Sequence, residues 1–175
     1  MNYKDLYNSD IYRYGRKPSH YLRKWHHYFR KSQMCKNKLL SLYYRFRLLK
    51  ISEKHGIEIS HRVSCGGGLY LCHPYCITIN PTSILGKNVN IHKGVTIGQE
   101  NRGKRLGTPT IGDDVWIGVN STIVGKITIG SDVLIAPNSY VNCDVPSHSI
   151  VIGNPCKIIH RTNAVDGYIN NRCLI

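Results

Sequence analysis

The sequence predicts a mainly β chain wound as a solenoid of short strands, preceded by a small helical segment. Two observations carry the solenoid. Between Ile59 and Pro146 an aliphatic or small residue returns at every sixth position: Ile59, Cys65, Leu71, Ile77, Ser83, Val89 and Val95, then Ile111, Ile117, Ile123, Ile129, Ile135 and Val141. A fixed period marks a repeat architecture, because one repeat cannot bury its apolar side chain without the coil above or below it. The hexads are also rich in β-branched residues and are punctuated by Gly86-Lys87-Asn88, Gly112-Asp113-Asp114 and Gly130-Ser131-Asp132, where Gly and Asn accept positive φ at low cost. Six residues are too few for strand plus helix, so each hexad is one flat side of a prism. Three hexads make a coil, and thirteen make a little over four coils.

The helical segment is read from a different period. From Ser19, an N-cap, to about Lys54, the apolar residues Leu22, Trp25, Tyr28/Phe29, Leu39, Leu42/Tyr43, Phe46 and Leu49 recur at three and four, which is helical spacing. A break near Ser32 to Asn37 divides it into two helices, and Gly56 closes the second. Met1 to Pro18 lacks sustained periodicity and reads as an irregular lead-in. The chain thus divides into 1–56, the β-helix at 57–146 and a C-terminal segment at 147–175, of which 160–175 reads as weakly ordered.

One hexad is interrupted. Val95 and Ile111 lie sixteen apart, so ten extra residues, about Asn101 to Thr110, leave the column as a loop at 99–110 rich in Gly and positive charge. Such a loop in so regular a scaffold points to function.

Composition narrows the partners. The formal net charge is +14, and residues 1 to 55 hold fourteen Lys/Arg against three acids. A basic, aromatic helical pair fits a cap over the first coil or a subunit contact. It also suits anionic partners such as membrane headgroups or phosphate-bearing sugar donors. No nucleic-acid motif accompanies the charge. No run reaches the roughly 18–20 apolar residues of a membrane span, and the polar start is not a signal peptide, which places the chain in the cytoplasm, with the inner membrane face within reach of the basic helices. The seven cysteines are odd in number and lie mostly inside repeats, as reduced apolar thiols. Cys72, His73 and Cys76 are not read as a metal site: extended backbone sends Cys72 and His73 to opposite sides, and no second Cys/His pair follows at ligand spacing.

Ile111-Gly112-Asp113-Asp114-Val115-Trp116, Ile117-Gly118-Val119-Asn120-Ser121-Thr122, Asp144-Val145-Pro146 and Gly153-Asn154-Pro155-Cys156-Lys157 together resemble the hexapeptide-repeat acyltransferases. Within them the chain is similar to the serine acetyltransferase branch, especially its relatives found with polysaccharide biosynthesis enzymes. The likeness covers about residues 57 to 159. It implies a left-handed parallel β-helix, a homotrimer with active sites between subunits, and acetyl-CoA as donor.

The chemistry of that family requires a base to take the proton of an acceptor hydroxyl, a task suited to imidazole. His73 in Gly68-Leu69-Tyr70-Leu71-Cys72-His73 aligns with the family's catalytic histidine, and Glu58, fifteen residues earlier, stands where its orienting aspartate belongs. His92, beside the inserted loop, is a second-tier candidate. Gly98, Gly118 and Ala136 would let a pantetheine arm approach the backbone, with Lys157 at the nucleotide phosphates. Without the resemblance, Glu58 reads as an exposed acid, His73 as a turn residue, and the glycines as hexad turns.

Two positions depart from the family. The aspartate before the catalytic histidine is Cys72 here, and the loop's Arg-His-Pro is Gly107-Thr108-Pro109. An amino-acid acceptor calls for charged partners, so these changes favour an uncharged hydroxyl, as in a sugar of surface polysaccharide assembly. Arg102, Lys104 and Arg105 supply loop cations from shifted positions, and Ile175 matches the terminal isoleucine with which serine acetyltransferases dock their sulfhydrylase partner. Serine O-acetylation is therefore the alternative, and a non-catalytic scaffold the third reading.

Overall fold

The computed structural model describes residues 2–174; Ile175 lies outside them. Three helices, α1 (Tyr3–Tyr12), α2 (His20–Met34) and α3 (Lys38–His55), precede a parallel β-solenoid. Its first face stacks β1 (Ile57–Ile59), β4 (Ile77–Ile79), β7 (Thr96–Gly98), β10 (Thr122–Val124) and β13 (Tyr140–Val141). The second face stacks β2 (Ser64–Cys65), β5 (Ile84–Leu85), β8 (Thr110–Ile111) and β11 (Thr128–Ile129). The third stacks β3 (Tyr70–Cys72), β6 (Asn90–His92), β9 (Val115–Ile117), β12 (Val133–Ile135) and β14 (Ser149–Ile152), and β15 (Lys157–His160) pairs antiparallel with β14. The first face has five strands, so the solenoid makes about five coils rather than four.

The hexads do not keep one register. Each side buries two residues two positions apart, as Ile77 and Ile79 do. Pairing across the coils sets Ile57 on Ile77 and Leu71 on Ile91, twenty residues apart, then Ile79 on Ile97 at eighteen and Leu85 on Ile111 at twenty-six. Ile117 sits on Ile135 at eighteen, and Ile135 on Val151 at sixteen. The ten-residue offset is therefore two insertions: two residues in the corner Cys72–Ile77, and eight in the loop. A shift of two moves the count from one inward lane to the other without leaving the apolar column, which is why the period conceals it.

The helices answer a problem that every solenoid has at its ends. The first coil presents an unpaired edge of backbone donors and acceptors, which must be covered. α1 and the turn that follows it supply acceptors: Ser9 Oγ takes the N–H of Gly68 (3.0 Å), Asp10 Oδ1 that of Leu69 (2.9 Å), and Tyr14 Oη that of Leu71 (3.2 Å). α2 supplies donors: Arg30 gives N–H to the carbonyls of Cys65 (2.8 Å) and Gly66 (2.7 Å), and Gln33 to that of Val63 (2.8 Å). Trp25 and Phe29 bury the apolar end of the column. Asp10 and Arg30 form a fully buried bidentate pair (2.7 and 2.9 Å), joined by His26 at 3.3 Å.

Two expectations fail for the same reason. Met1–Pro18 is not irregular: among the described residues Tyr3–Tyr12 is a helix with an Asn2/Asp5 capping box. Its packed side is Ser9, Asp10 and Arg13, so it docks by hydrogen bonds and shows no apolar stripe. Residues 161–174 are likewise a strap folded back across the third face. Val165 and Ile169 are buried on Leu134 beside Trp116, Ala136 and Ile150, Asp132 accepts the N–H groups of Ala164 and Val165 (3.1 and 3.2 Å), and Asn88 clamps the backbone of Cys173 from both sides (2.9 and 3.1 Å). The α2 and α3 boundaries fall where the spacing placed them, with Gly56 at φ +62° closing α3. Asn37 caps α3 at 3.0 Å, whereas Ser19 sits at the N-cap of α2 without a side-chain bond.

Candidate active site

Two corners of the prism hold the candidate residues. His73 lies at the corner between the third and first faces, immediately after β3. The corner is two residues longer than those below it, His73 and Cys76 both adopt positive φ (48° and 55°), and the His73 carbonyl accepts the N–H of Tyr75 (2.8 Å). The bend turns the imidazole out to solvent. His92 is one coil further, paired in register with Cys72. Burial and the nearby charge of His73 hold the His92 imidazole below its ordinary 6.5, so it favours the neutral form. Its ring packs on Trp116 (4.6 Å between centroids), which meets Tyr168 of the strap (5.1 Å).

Cys72, His92, Asn90, Trp116, Tyr168 and Arg13 line one cleft of about 230 Å³. Burial pushes the Cys72 thiol up, partly offset by a hydrogen bond with Tyr70, so it is a neutral thiol at neutral pH.

Glu58 does not join this group. It projects outward from the middle of β1, where its Oε2 accepts from Thr78 Oγ1 at 3.2 Å, and it borders a larger groove of about 630 Å³ between α3 and β1. Among the described residues no hydrogen bond, and no ion pair within 4 Å, connects it to His73, so the orienting contact expected of the pair is not made within the chain.

The inserted loop leaves from the other end of β7, at the corner between the first and second faces. It is a closed hairpin. Glu100 and Gly107 exchange backbone bonds at 3.0 Å, a 3₁₀ turn spans Gly103–Arg105, and the Arg105 guanidinium is held by Glu100 at 2.9 Å. Thr108 Oγ1 meets Thr82 Oγ1 at 3.1 Å. Arg105 and Thr108 are thus separated from Cys72 by the breadth of the first face, and His92 is not beside the loop as the sequence suggested.

The four expected donor-binding positions are equally dispersed. Gly98 is at the loop corner, Gly118 and Ala136 are at the His73 corner two and three coils below it, and Lys157 is exposed on β15. A side chain on Gly118 would meet the backbone N of Pro137 at 2.6 Å, so close stacking of corners already requires that glycine. Ala136 lies under the strap. Among the described residues no three His, Cys, Asp or Glu side chains converge as a metal site, and no helix is long and apolar enough to cross a membrane.

Comparison with known proteins agrees with the fold and narrows it. Residues 108–143 match the family model for the bacterial transferase hexapeptide (six repeats). The crystal structure of a Neisseria gonorrhoeae serine acetyltransferase in complex with serine superposes with a TM-score of 0.69 at 31% identity, covering 90% of this chain and 69% of that one. The chain belongs to the serine acetyltransferase family of hexapeptide-repeat proteins. Serine acetyltransferase 4 of Arabidopsis thaliana is 42% identical over 124 residues, 70% of this chain and 34% of that protein. A Staphylococcus epidermidis serine acetyltransferase is 40% identical over 104 residues, 59% of this chain and 49% of its own length. This family member thus spans between a third and a half of the curated relatives it matches.

Of the residues that line this cleft in the hexapeptide-repeat protein, sequence reasoning had singled out Cys72 and His92, with His73 next in the chain, and had not singled out Arg13, Trp116 or Tyr168. Trp116 was within reach, since Tyr70, Asn90 and Trp116 are successive cross-strand neighbours once the coil lengths are known. Arg13 left no signal, because it comes from a segment without periodicity.

Proposed function

We propose that the chain is an acetyl-CoA-dependent O-acetyltransferase with His73 as general base. The observation that carries this is the widened corner, which turns an imidazole to solvent one residue beyond the cleft-lining Cys72, in a chain of the serine acetyltransferase family. Acetyl-CoA supplies an activated acyl carbon as substrate. His73 takes the acceptor's hydroxyl proton as the oxygen bonds to that carbon, the carbon–sulfur bond breaks, and the imidazolium returns the proton to the departing thiolate. His73→Ala is expected to lower turnover by about two to four orders of magnitude with folding unchanged. Near-normal activity would sink the assignment.

The relatives name serine as the acceptor, which supports L-serine here over the sugar that Cys72 and Thr108 suggested. A sugar hydroxyl stays as the second reading on one observation: neither of those side chains carries a charge for an amino acid. Acetyl-CoA consumption with L-serine against a panel of sugars decides between them.

The dispersal of the residues supports a site shared between copies. The His73 corner and the inserted loop lie at opposite ends of the first face, so a homotrimer would bring the loop of one copy to the His73 corner of the next. Co-expressing a His73→Ala chain with a loop-shortened chain should restore activity that neither has alone. The exposed stripe Leu39, Leu42, Tyr43, Phe46 and Leu49 on α3, flanked by Lys38, Arg45, Arg47 and Lys54, supports a contact with another copy or with an anionic membrane face. Solution mass and vesicle co-sedimentation separate these.

A further inference from the structure

The two ends of the solenoid are closed in different ways. The first coil lies under α1 and α2, with Trp25 and Phe29 over the apolar column. At the other end β13 is the last strand of the first face, and the turn that follows β14 runs up to it. Tyr140 donates its N–H to the Gly153 carbonyl at 3.0 Å, and Gly153 donates its own to Ser139 Oγ at 3.1 Å. Three residues past Tyr140 comes Cys143, and three past Gly153 comes Cys156. Their sulfurs stand 3.8 Å apart, the one thiol–thiol hydrogen bond among the described residues. Cys35, Cys65 and Cys173 meet backbone carbonyls instead.

A free cysteine inside a fold ordinarily serves as a small apolar side chain, and that account suits Cys65, which packs against the column. It does not suit Cys143, which is exposed. The pair is unequal in the way a two-step exchange requires: Cys143 meets solvent, while Cys156 is half-buried and packed against the column. Burial and the hydrogen bond to Cys156 push the Cys143 thiol up, and Arg105 of the inserted loop works against them. The pair therefore rests as thiols at neutral pH, and the minor thiolate fraction is what can attack. To bond, the sulfurs must close by about 2 Å, a distance that rotation of the two side chains covers.

We propose that Cys143 and Cys156 are a redox modification site whose disulfide locks the last coil of the solenoid, with a low-molecular-weight disulfide such as oxidised glutathione as the oxidant. The Cys143 thiolate attacks one sulfur of the small disulfide, forms a mixed disulfide and expels a thiolate, which takes up a proton. Cys156 then gives up its proton, attacks Cys143 Sγ and expels the second small thiol. The protein loses two hydrogens with their electrons, and the small disulfide becomes two thiols. A reducing thiol reverses both steps. The bridge would join residues thirteen apart in the chain. Closing a loop of that length restricts the unfolded chain enough to raise Tm by about 5–10 °C. The site does not depend on the proposed acetyl transfer, since Cys143 stands beside Arg105 at the loop corner and not at His73.

The test uses the full chain, first reduced and freed of reductant, then held under native conditions with excess oxidised glutathione before the remaining thiols are alkylated. Peptide mapping by mass spectrometry should find the Cys143 peptide joined to the Cys156 peptide with the loss of two hydrogens. Calorimetry should place Tm about 5–10 °C above that of the reduced chain, and dithiothreitol should reverse both changes. Cys156→Ser should stop at the glutathione adduct on Cys143, and Cys143→Ser should form no bridge; neither should gain the rise in Tm. A pair still open in the wild-type chain overturns the inference, with glutathione uptake at Cys76, which is also exposed, showing that the reagent was active. Wild-type chain that keeps glutathione on Cys143, or bridges either cysteine elsewhere, overturns it as well. A bridge that leaves Tm unchanged overturns the locking of the last coil. The wild-type map and Tm decide by themselves, so a serine variant that fails to fold does not block the test.

Discussion

Replacing Asp10 by alanine removes the centre of the cap over the first coil. Its carboxylate is fully buried, paired in two bonds with Arg30, and is the acceptor for the Leu69 N–H at the coil's edge. Arg30 would stay buried as an uncompensated charge, a change that costs about 3–5 kcal/mol. A chain of 175 residues loses about 2–4 °C of Tm per kcal/mol, so the variant should melt roughly 10–15 °C lower by calorimetry. The pH dependence supplies an internal check. Burial raises the Asp10 carboxyl, but Arg30 and His26 outweigh it and hold the group below its ordinary 3.8. A carboxyl lowered on folding stabilises the fold above its unfolded value and loses that contribution as pH falls through the folded one. The Tm gap between the two proteins should therefore be full at pH 6 and shrink well below pH 4. Adding Arg30→Met to Asp10→Ala should recover part of the loss, since the stranded charge is gone. A drop under about 3 °C for the single variant, or no recovery in the double, would refute the picture of a dry, charge-paired cap.

Three further outcomes follow from the same structure. Asp132→Ala removes the acceptor for the Ala164 and Val165 N–H groups, so hydrogen exchange across 161–174 should accelerate at least tenfold while the solenoid strands stay protected; uniform exchange would mean that the strap is held elsewhere. His92 is lowered on folding, so the unfolded chain binds its proton more tightly. The stability it contributes is complete above pH 6.5 and is lost as pH falls below that value. His27 and His61 shift in the same direction, so the readout is the difference between wild type and His92→Gln in Tm against pH from 7.5 to 5.5, where the variant should be the flatter. Gly118→Ala forces a Cβ against the Pro137 backbone and should cost about 1–3 kcal/mol in urea denaturation. A stable variant with a raised acetyl-CoA KM would instead return Gly118 to a donor-binding role.

The apolar column from Ile59 to Val141 determined the solenoid by itself, because burial of the inward residues on each side is a local requirement repeated along the chain. The same holds for the ends of α2 and α3, where Asn37 and Gly56 act within one turn. His73 and Cys72 were singled out through the family resemblance and His92 through its nearness to the inserted loop in sequence, and the period alone named none of them. Tertiary structure decided the rest. The slip between inward lanes became visible only when Leu71 was seen to stack on Ile91 twenty residues later. The split between the His73 corner and the loop follows from that coil geometry. Asp10 meets Leu69, Arg13 meets Asn170 and Asn88 meets Cys173 through polar contacts between residues 59 to 157 positions apart. Such contacts satisfy the open edge and flank of a solenoid, and they leave no period in the sequence because each is made once.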